Sequence, residues 1–307
     1  MKANITIYFY DILAKIAKRL EAYFIYKRRK IKPYSDEEIH LFHIVGTEVV
    51  AGNFKGMKYP SAKSFGSSFF PKIIGTYENE IQGFLKYLLT SNSYNEIYDV
   101  GCAEGYYAVG IALFLNKNNR VLAYDINPVA KDLTKQMALL NNVSNQVIIN
   151  GEFHSNQLSV SPEQRRFFLI DCEGYEKYLF SDDDIVNRYC NDDLLIETHD
   201  FIDYNISLEI EKKLVATHYV FTQNTIGDFQ KVKYYFTKFS ELETNLNLKH
   251  LALSEGRPTG QEWIIALSKL HYSKNELEKL FLFINEYNNE IGCPKSFTRP
   301  NADLKVE

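Results

Sequence analysis

The sequence has few of the residues that mark several common classes of protein. Its 307 residues include four cysteines and one tryptophan. No two cysteines form a C-x-x-C pair, and none lies near a histidine at a zinc-binding spacing. A structural zinc site and a disulfide framework are therefore not expected, and we predict reduced thiols in a cytoplasmic protein.

The chain also lacks segments that would direct it across a membrane, and it lacks a strong charge of either sign. No apolar run approaches the ~20 residues that span a bilayer. Asp11, Lys15 and Lys18 interrupt the N-terminal apolar residues, which argues against a signal peptide. Lysine and arginine total 35 against 39 aspartates and glutamates, a net charge of −4. This balance excludes a bulk electrostatic attraction to nucleic acid, so no nucleic-acid partner is expected.

Aromatic and apolar residues are abundant instead. Tyrosine occurs 22 times and phenylalanine 21 times, and 45% of the residues are hydrophobic, which is typical of an ordered chain with a sizeable core. At ~150 residues per domain, the length allows one large domain or two small ones. We predict an N-terminal helix and hairpin cap over residues 1–70, a central domain over 71–270, and a C-terminal helix and tail over 271–307.

The first of these segments carries an amphipathic pattern. Apolar residues recur at steps of three and four from Ile5 to Phe24, and the basic run Lys27–Lys30 follows. The pattern predicts a helix with one apolar face. Residues 5–30 could lie on an anionic membrane surface, which would place the protein at the inner face of the membrane. The same helix could equally pack on its own domain or on a second subunit in a homo-oligomer.

Weaker local signals surround the start of the central domain. Two short runs, Thr47–Ala51 and Asn53–Tyr59, predict a hairpin. Ser61–Pro71 contains Gly66, Ser67, Ser68 and Pro71 and predicts a loop. Thr76 then predicts the N-cap of a helix that runs to about Leu89.

From Glu96 to Ser268, short apolar strands alternate with helices. The predicted strands are Glu96–Val100, Val121–Asp125, Val147–Asn150, Phe167–Asp171, Leu194–Glu197, His218–Thr222 and Trp263–Ser268. This alternation predicts a mostly parallel sheet covered by helices on both faces, a doubly wound α/β fold. Lys231–Lys238 interleaves basic and aromatic residues and is interpreted as a strand or loop with a solvated face, and a C-terminal helix is predicted over Lys274–Tyr287. Ligands of doubly wound sheets bind at the carboxyl ends of the strands, so polar residues there are the functional candidates.

A glycine turn follows the first strand. Gly101 and Gly105 stand in the pattern D-x-G-x-x-x-G between a strand and a helix. Glycine lets the backbone turn sharply and lets a ligand approach the main chain. The spacing differs from the G-x-G-x-x-G of nicotinamide and flavin enzymes, and no P-loop motif is present. A nicotinamide-dependent oxidoreductase is therefore disfavoured.

Acidic residues follow the next two strands. Asp125 can accept hydrogen bonds from both hydroxyls of a ribose. Glu152 could accept one from the exocyclic amine of an adenine, and Ile126 or Phe153 could pack on the adenine ring. The predicted ligand therefore has a ribose and an adenine but needs no phosphate.

S-adenosylmethionine fits this description. Asp99 and Glu104 could face its ammonium group, and the glycine turn could lie under its methionine moiety. The predicted cofactor-binding residues are Asp99, Gly101, Cys102, Glu104, Gly105, Asp125, Ile126, Glu152, Phe153 and Asp171. The alternative is that the two glycines only form a tight turn and that Asp125 only starts a helix, but the order of these residues on successive strand ends favours the cofactor.

These motifs resemble those of the class I S-adenosylmethionine-dependent methyltransferases. The segment Ile170–Glu176 narrows the resemblance, because its D-x-E-G-x-E pattern is similar to that of the FkbM-type family. Phe54–Met57, Gly75–Glu78 and Gly256–Trp263 resemble segments that flank the core in that family. The resemblance extends from about Thr47 to Ser268. It implies a seven-stranded, Rossmann-like sheet whose last strand runs antiparallel, and O-methylation of hydroxyls on sugars or other natural products.

Polar residues also follow the fourth and fifth strands. Asp171 and Glu173 follow one strand, and Glu197, His199 and Asp200 follow the next. Neighbouring strands lie ~5 Å apart, so these side chains should converge. His199 is the natural base for a hydroxyl proton, because its ordinary pKa lies near ~6.5. Asp171 is the alternative base, and Glu197 completes the predicted catalytic set.

The same cluster could also bind a metal or the acceptor. Asp171, Glu197 and Asp200 could hold Mg²⁺, which would orient the acceptor hydroxyl and lower its pKa. Glu173, Asp200 and Arg257 are predicted to bind the acceptor, a small molecule or a glycan. The sequence thus predicts an O-methyltransferase acting on a saccharide, a glycan precursor or another natural product. The alternative is an inactive methyltransferase-like scaffold that acts through its N-terminal helix on a membrane or partner.

Overall fold

The computed structural model describes residues 34–91, 94–115, 119–158, 164–182, 185–258, 260–291 and 298–300. Residues 1–44 and residues 45–307 form two compact units. Helix α1 (Asp36–Val45) accounts for most of what is described before residue 45. Its start is a capping box, in which the Ser35 hydroxyl accepts from the Glu38 N–H and Glu38 accepts from the Ser35 N–H. The predicted helix Ile5–Phe24 and its basic end lie outside the described residues.

One sheet organises the larger unit. Its strands are β1 (Glu96–Val100), β2 (Val121–Tyr124), β3 (Val147–Asn150), β4 (Arg166–Ile170), β5 (Asp193–Thr198), β6 (His218–Asn224), β7 (Glu262–Ser268) and β8 (Thr298–Pro300). Their spatial order is β3-β2-β1-β4-β5-β7-β6-β8. The first five in this order pair in parallel, and β7 runs antiparallel to both of its neighbours. The predicted seven-stranded, mostly parallel sheet is confirmed. The short antiparallel strand β8 extends it beside β6 and was not predicted.

Helices flank this sheet. They are α2 (Phe69–Ile74), α3 (Asn79–Ser91), α4 (Tyr106–Phe114), α5 (Pro128–Leu140), α6 (Glu176–Leu179), α7 (Ile185–Tyr189), α8 (Ile206–Leu214), α9 (Asp228–Tyr234), α10 (Ser240–Thr244), α11 (Leu246–Leu253) and α12 (Lys274–Glu290). Strands β4 and β5 are buried along their whole length, as expected of central strands covered on both faces. Among the described residues, no helix is both long and apolar enough to cross a bilayer. The segments on either side of the predicted boundaries at residues 70 and 270 belong to the same unit.

Three local predictions need correction. The segment Ser61–Pro71 is not all loop, because α2 begins at Phe69. Thr76 is not an N-cap, since Gly75 ends α2 at a φ of 86° and the next helix begins only at Asn79, three residues after Thr76. The stretch Lys231–Lys238 is a loop with exposed side chains only after Tyr234, because its first four residues end helix α9. Lys231 is fully buried in α9 and pairs with Glu255, 24 residues away along the chain.

The predicted hairpin is reduced to one antiparallel bridge. Glu48 and Lys58 form this bridge. Two backbone hydrogen bonds flank it, from Val49 N–H to Met57 O and from Tyr59 N–H to Thr47 O, both of 2.8 Å. The turn between the two runs then brings Asn53 against α3, where its side chain donates to the backbone oxygen of Gln82.

Candidate functional site

A cavity of about 580 Å³ opens at the carboxyl ends of β1, β2, β4 and β5. The turn after β1 lines it together with Asp125, Asp171 and His199, which follow the other three strands. The loops around Phe65 and Arg257 close the remaining sides. The cavity spans the junction of β1 and β4, where the order of the strands reverses, which is the usual ligand position in a doubly wound sheet.

Both glycines of the turn after β1 are required by close packing within the protein itself. Gly101 and Gly105 adopt φ values of 92° and 93°, which side chains disfavour. A Cβ on Gly101 would lie 1.6 Å from the carbonyl oxygen of Asp171, and one on Gly105 would lie 2.8 Å from Cγ2 of Thr134 in α5. Gly101 lines the cavity, whereas Gly105 does not. The prediction that Gly105 binds the cofactor is therefore corrected: this glycine allows α5 to pack on the turn.

Asp99 also lies behind the cavity wall rather than in it. Its side chain is 1% exposed, and one carboxylate oxygen has no hydrogen-bond partner. Burial raises the pKa of Asp99 to about 8, although a hydrogen bond from the backbone N–H of Ala108 opposes the rise. The predicted contact between Asp99 and the cofactor ammonium is corrected, because the carboxyl group is enclosed under the first turn of α4.

Asp125 is held in one orientation at the end of β2. Its Oδ2 accepts a 3.0 Å hydrogen bond from the N–H of Ala103, and its Oδ1 accepts a 2.7 Å hydrogen bond from the N–H of Asn127. A carboxylate oxygen can accept more than one hydrogen bond, so each retains capacity toward the cavity. The geometry suits the two hydroxyls of a ribose. Ile126 lies next to it with 76% of its surface exposed, also on the cavity wall.

Glu152 and Phe153 follow β3 and differ in how much of each side chain is exposed. The Glu152 side chain is half-exposed and accepts a 3.3 Å hydrogen bond from the Tyr175 hydroxyl. The Phe153 ring is 6% exposed and packs against the ring of Tyr124 at a centroid distance of 5.0 Å. Most of the Phe153 ring therefore belongs to the core, and Ile126 offers the larger apolar surface for an adenine.

Glu104 lines the cavity, but its charge is already compensated. Nζ of Lys72 lies 2.5 Å from its Oε1, and the side chains of Lys72 and Glu104 are 3% and 1% exposed. The Ser64 hydroxyl and the Phe65 N–H also donate to Glu104, at 2.7 and 3.0 Å. Burial raises the pKa of Glu104, but Lys72 and these hydrogen bonds together lower it below its usual value. Lys72 thus already compensates the charge of Glu104, and the pairing of this carboxylate with a cofactor ammonium stays a prediction.

Lys72 was missed at the sequence level. It also donates to the hydroxyl of Ser67 at 2.6 Å and lies 4.7 Å from the ring centroid of Tyr77. A signal was available, because Lys72 is the single charged residue of the otherwise apolar helix α2. Cys102 is 4% exposed, and burial raises the pKa of its thiol, so it lines the cavity as a neutral group.

His199 is surrounded by carboxylates at the end of β5. Its Nδ1 lies 3.1 Å from Oε1 of Glu176, and its Nε2 lies 3.6 Å from Oδ1 of Asp171 and 3.6 Å from Oε2 of Glu173. Burial lowers the pKa of His199, but Glu176 first, and then Asp171 and Glu173, outweigh burial and raise it above its ordinary value. Glu176 is fully buried and also accepts a 2.9 Å hydrogen bond from the Cys172 N–H. The predicted convergence of Asp171, Glu173 and His199 is observed in the structure.

Arg257 joins the other acidic residues into a network. It lies 2.8 Å from Glu78 and 2.7 Å from Glu80, and it also donates to Glu197. Glu78 additionally accepts a hydrogen bond from the Tyr107 hydroxyl. Burial raises the pKa of Glu197, and Asp171 raises it further against the opposing effect of Arg257. Arg257 lines the cavity, but its charge is directed to these glutamates rather than to an acidic acceptor.

Among the described residues, two groups of three side chains have the spacing of a metal site. Their ligand atoms lie within 4.8 Å of one another in the sets Glu78, Asp171, Glu197 and Asp171, Glu173, His199. Asp200 belongs to neither set and does not line the cavity. Its Oδ1 accepts a 2.9 Å hydrogen bond from the Ser207 N–H in the first turn of α8. The metal-ligand and acceptor-binding roles of Asp200 therefore find no support in this arrangement and stay predictions, and Glu78 rather than Asp200 lies close to Asp171 and Glu197.

Comparisons with known proteins add the following. No family model matches the chain, and no curated protein matches it. Solved structures with a similar fold include an O-methyltransferase from Bacillus cereus in complex with SAH, 13% identical over 61% of this chain and 80% of that chain, with a TM-score of 0.41. A putative O-methyltransferase from Klebsiella pneumoniae is 10% identical over 80% and 96% of the two chains, with a TM-score of 0.43. TomG, an O-methyltransferase from Streptomyces achromogenes in complex with SAM, is 11% identical over 63% and 80%, with a TM-score of 0.39. At these values the similarities carry no conclusion about function, and the FkbM-type assignment stays a prediction.

Proposed function

We propose that this protein is an S-adenosylmethionine-dependent methyltransferase that methylates a hydroxyl group of a saccharide, a glycan precursor or another polyhydroxylated natural product. One observation carries the proposal. A single cavity at the carboxyl ends of the strands contains two groups suited to this reaction. They are the Asp125 carboxylate, which backbone N–H groups orient, and the His199 imidazole, whose Nδ1 lies 3.1 Å from the buried carboxylate of Glu176. The motif resemblance in the sequence supports the same conclusion from independent features.

The cofactor half of the cavity lies along the ends of β1, β2 and β3. Asp125 would accept hydrogen bonds from the ribose hydroxyls, because two backbone N–H groups already orient its oxygens. Ile126 would cover the adenine ring, and Glu152 would accept its exocyclic N–H. The main chain of Gly101 and Cys102 would lie beside the methionine moiety.

The acceptor half of the cavity lies at the ends of β4 and β5. Bound S-adenosylmethionine supplies a methyl group on a sulfonium, which leaves as a neutral thioether when the acceptor oxygen attacks the methyl carbon. The protein must then align the hydroxyl and accept its proton. Nε2 of His199 lies 3.6 Å from both Asp171 and Glu173 and would take that proton.

Glu176 makes this proton transfer directional. It lies 3.1 Å from Nδ1, so it favours the tautomer with the proton on Nδ1 and the lone pair on Nε2. The same carboxylate stabilises the imidazolium that forms when Nε2 gains the acceptor proton. Glu176 thus acts as a positioning residue, while His199 is the base.

The cofactor part of the proposal is tested by calorimetric titration with S-adenosylhomocysteine. We expect binding to the natural protein and at least ~10-fold weaker binding to Asp125→Asn, because a charge-assisted hydrogen bond contributes ~1.5–3 kcal/mol. Asp132→Asn is the matched control, since Asp132 is exposed on α5 and bonds only to Gln136 among the side chains described. Absence of binding at millimolar ligand would contradict the proposal.

The catalytic part is tested by transfer of labelled methyl from S-adenosylmethionine to a panel of monosaccharides. With an acceptor found in this panel, His199→Ala should retain S-adenosylhomocysteine affinity and lose at least ~100-fold in transfer rate. Equal turnover by the variant and the natural protein would remove His199 from the role of base.

A further inference from the structure

Two aromatic side chains of the cavity lining are exposed. They are Phe201, at 54%, and Tyr175, at 41%. The Tyr175 hydroxyl donates to Glu152, so this ring lies at the cofactor half of the cavity. Phe201 instead follows β5 and lies beside the base, with its ring centroid 5.6 Å from that of His199. Phe201 therefore offers an aromatic surface to a ligand in the acceptor half.

The Phe201 ring is exposed, but the backbone that carries it is held in place. Phe201 stands in a turn that the Ile202 N–H closes by donating to the His199 oxygen at 2.8 Å. Asp200 in the same turn accepts a 2.9 Å hydrogen bond from the Ser207 N–H in the first turn of α8. A surface that is already ordered loses little conformational freedom when a ligand covers it, so this turn is suited to binding.

The segment after β4 is shaped to let this turn approach. Gly174 has a φ of 95°, and a Cβ there would lie 2.7 Å from Cδ1 of Ile202. Asp203 pairs with Lys177 of α6 across the same boundary. The turn after β5 is thus packed against the segment that carries Glu173, the residue directly before Gly174.

Groups that accept hydrogen bonds from hydroxyls surround the same base. Glu173 lines the cavity, is 75% exposed, and its Oε2 lies 3.6 Å from Nε2 of His199. Asp171 lies at the same distance from this nitrogen. One aromatic face beside several hydroxyl acceptors matches a sugar ring, which has C–H groups on its face and hydroxyls around its edge. A planar aromatic acceptor would also stack, but it would leave most of these oxygens without donors.

We propose that Phe201 is a specificity-determining residue on which a pyranose ring of the acceptor stacks, with one hydroxyl of that ring at Nε2 of His199. The inference rests on the proposed function and specifies the acceptor of the same site. The face of an aromatic ring carries negative charge density. The C–H bonds of a sugar are polarised by its oxygens, so its face is attracted to the ring, and removal of the exposed ring from water adds to the affinity.

Stacking on Phe201 has a consequence for the reaction. It fixes the plane of the sugar and therefore which hydroxyl reaches His199. The O–CH₃ bond forms at that hydroxyl as the CH₃–S bond breaks, and the hydroxyl proton passes to Nε2. Phe201 takes part in none of these bonds, so its loss should weaken binding of the acceptor and leave binding of the cofactor unchanged.

The test is saturation-transfer difference NMR on the full protein saturated with S-adenosylhomocysteine. The probes are the methyl pyranosides of glucose, galactose and mannose, with sorbitol as a polyol without a ring and catechol as a planar aromatic alcohol. We expect at least one pyranoside to bind at millimolar concentration, with the strongest saturation at the C–H protons of one face of its ring. Sorbitol and catechol should both bind more weakly than that pyranoside.

Phe201→Ala should weaken this binding about fivefold and leave the affinity for S-adenosylhomocysteine unchanged. A fivefold change corresponds to about 1 kcal/mol, roughly half of what full burial of a phenylalanine side chain contributes. Phe201→Tyr should retain the binding, because it keeps the aromatic face. Phe229→Ala is the matched control and should change nothing, because Phe229 is 76% exposed on α9 and does not line the cavity.

The inference is overturned if no pyranoside binds, if sorbitol or catechol binds as tightly as the best pyranoside, or if Phe201→Ala and Phe229→Ala have equal effects. If Phe201→Ala does not fold, Phe201→Leu replaces it and should weaken binding at least ~2-fold, because leucine is apolar but has no aromatic face. Failure of S-adenosylhomocysteine itself to bind would contradict the proposed function, whereas its binding together with any of these results contradicts only the stacking on Phe201.

Discussion

The buried ion pair of Lys72 and Glu104 leads to a prediction about folding stability. The two side chains are 3% and 1% exposed and their charged atoms lie 2.5 Å apart. In Lys72→Met, Glu104 keeps its hydrogen bonds from Ser64 and Phe65 but loses its cation. Breaking a buried pair by removing one partner costs ~3–5 kcal/mol. Because the hydrogen bonds remain, we expect a loss of about 3 kcal/mol in the free energy of unfolding.

The double variant Lys72→Met/Glu104→Gln separates the charge from the packing. The glutamine keeps an oxygen that can accept from Ser64 or from the Phe65 N–H, and it carries no charge to be left alone. Replacing both partners of a buried pair is often close to neutral. We therefore expect the double variant to regain at least ~2 kcal/mol of the loss. The coupling energy in the double-mutant cycle should be at least that large, because Glu104→Gln alone leaves the buried Lys72 without its anion.

Urea unfolding followed by circular dichroism measures the loss in Lys72→Met and the coupling energy. The slope of free energy against urea must be the same for the natural protein, the two single variants and the double variant. The pH dependence gives a second readout. Lys72 helps to hold the pKa of Glu104 below its usual value, so this pair stabilises the protein above pH ~4.5 and the stabilisation is lost as the pH falls through the lowered pKa. The deficit of Lys72→Met should therefore shrink in acid. A double variant as unstable as the sum of the two single variants, or a deficit independent of pH, would refute the reasoning.

The remaining predictions concern backbone strain, a buried acid and the base. Gly101→Ala should lower the free energy of unfolding by urea by at least ~3 kcal/mol, and the control Gly56→Ala by ~1–2 kcal/mol. Both glycines have φ near 92°, but only at Gly101 would a Cβ clash with another residue. Equal losses in the two variants would contradict the clash. Burial raises the pKa of Asp99 to about 8, so stability falls as the pH rises between the unfolded pKa of ~3.9 and that value. Asp99→Asn should flatten this fall by up to ~1.4 kcal/mol per pH unit, and an unchanged slope in unfolding experiments would show that Asp99 is not buried. Because Glu176 helps to raise the pKa of His199, the transfer rate should rise with pH through that pKa, and Glu176→Gln should move the rise to lower pH and reduce kcat; a profile that does not move would count against this pairing.

The strands could be predicted because each is an apolar run bounded by turn residues. The observed bounds of β1 and β3 are those predicted, and β4 differs by one residue at each end. Strand β8 could not be predicted, since its three residues, Thr298–Pro300, are not an apolar run and are in the sheet only through pairing with β6. The start of α3 was predicted at Thr76 instead of Asn79, because the short helix α2 before it was not recognised. Gly75 takes a left-handed conformation that ends the preceding helix α2. That helix has no side-chain hydrogen bond at its N-cap, so the sequence carries no capping signal for it.

The acids at the strand ends could be predicted, but their partners could not. Strand order brings Asp171 and His199 together, and that order follows from the fold class. Lys72 reaches Glu104 across 32 residues, and Lys231 reaches Glu255 across 24, through the packing of short helices that no local pattern describes. A lysine or arginine inside an apolar helix face is the only sequence-level warning of such pairs.

Gly101 was predicted correctly as a cavity residue, but the sequence supplied only one of the two reasons for a glycine at this position. Gly101 was predicted to let a ligand approach the main chain, and it does line the cavity. The structure adds that a Cβ there would collide with the carbonyl oxygen of Asp171. The turn after β1 and the segment after β4 are therefore fixed against each other, and the Asp171 N–H donates to the Val100 oxygen at 2.9 Å on the same contact. A substitution at Gly101 should consequently displace the carboxylate of Asp171 as well as the turn, so a loss of cofactor binding and a loss of methyl transfer in such a variant would have one common cause.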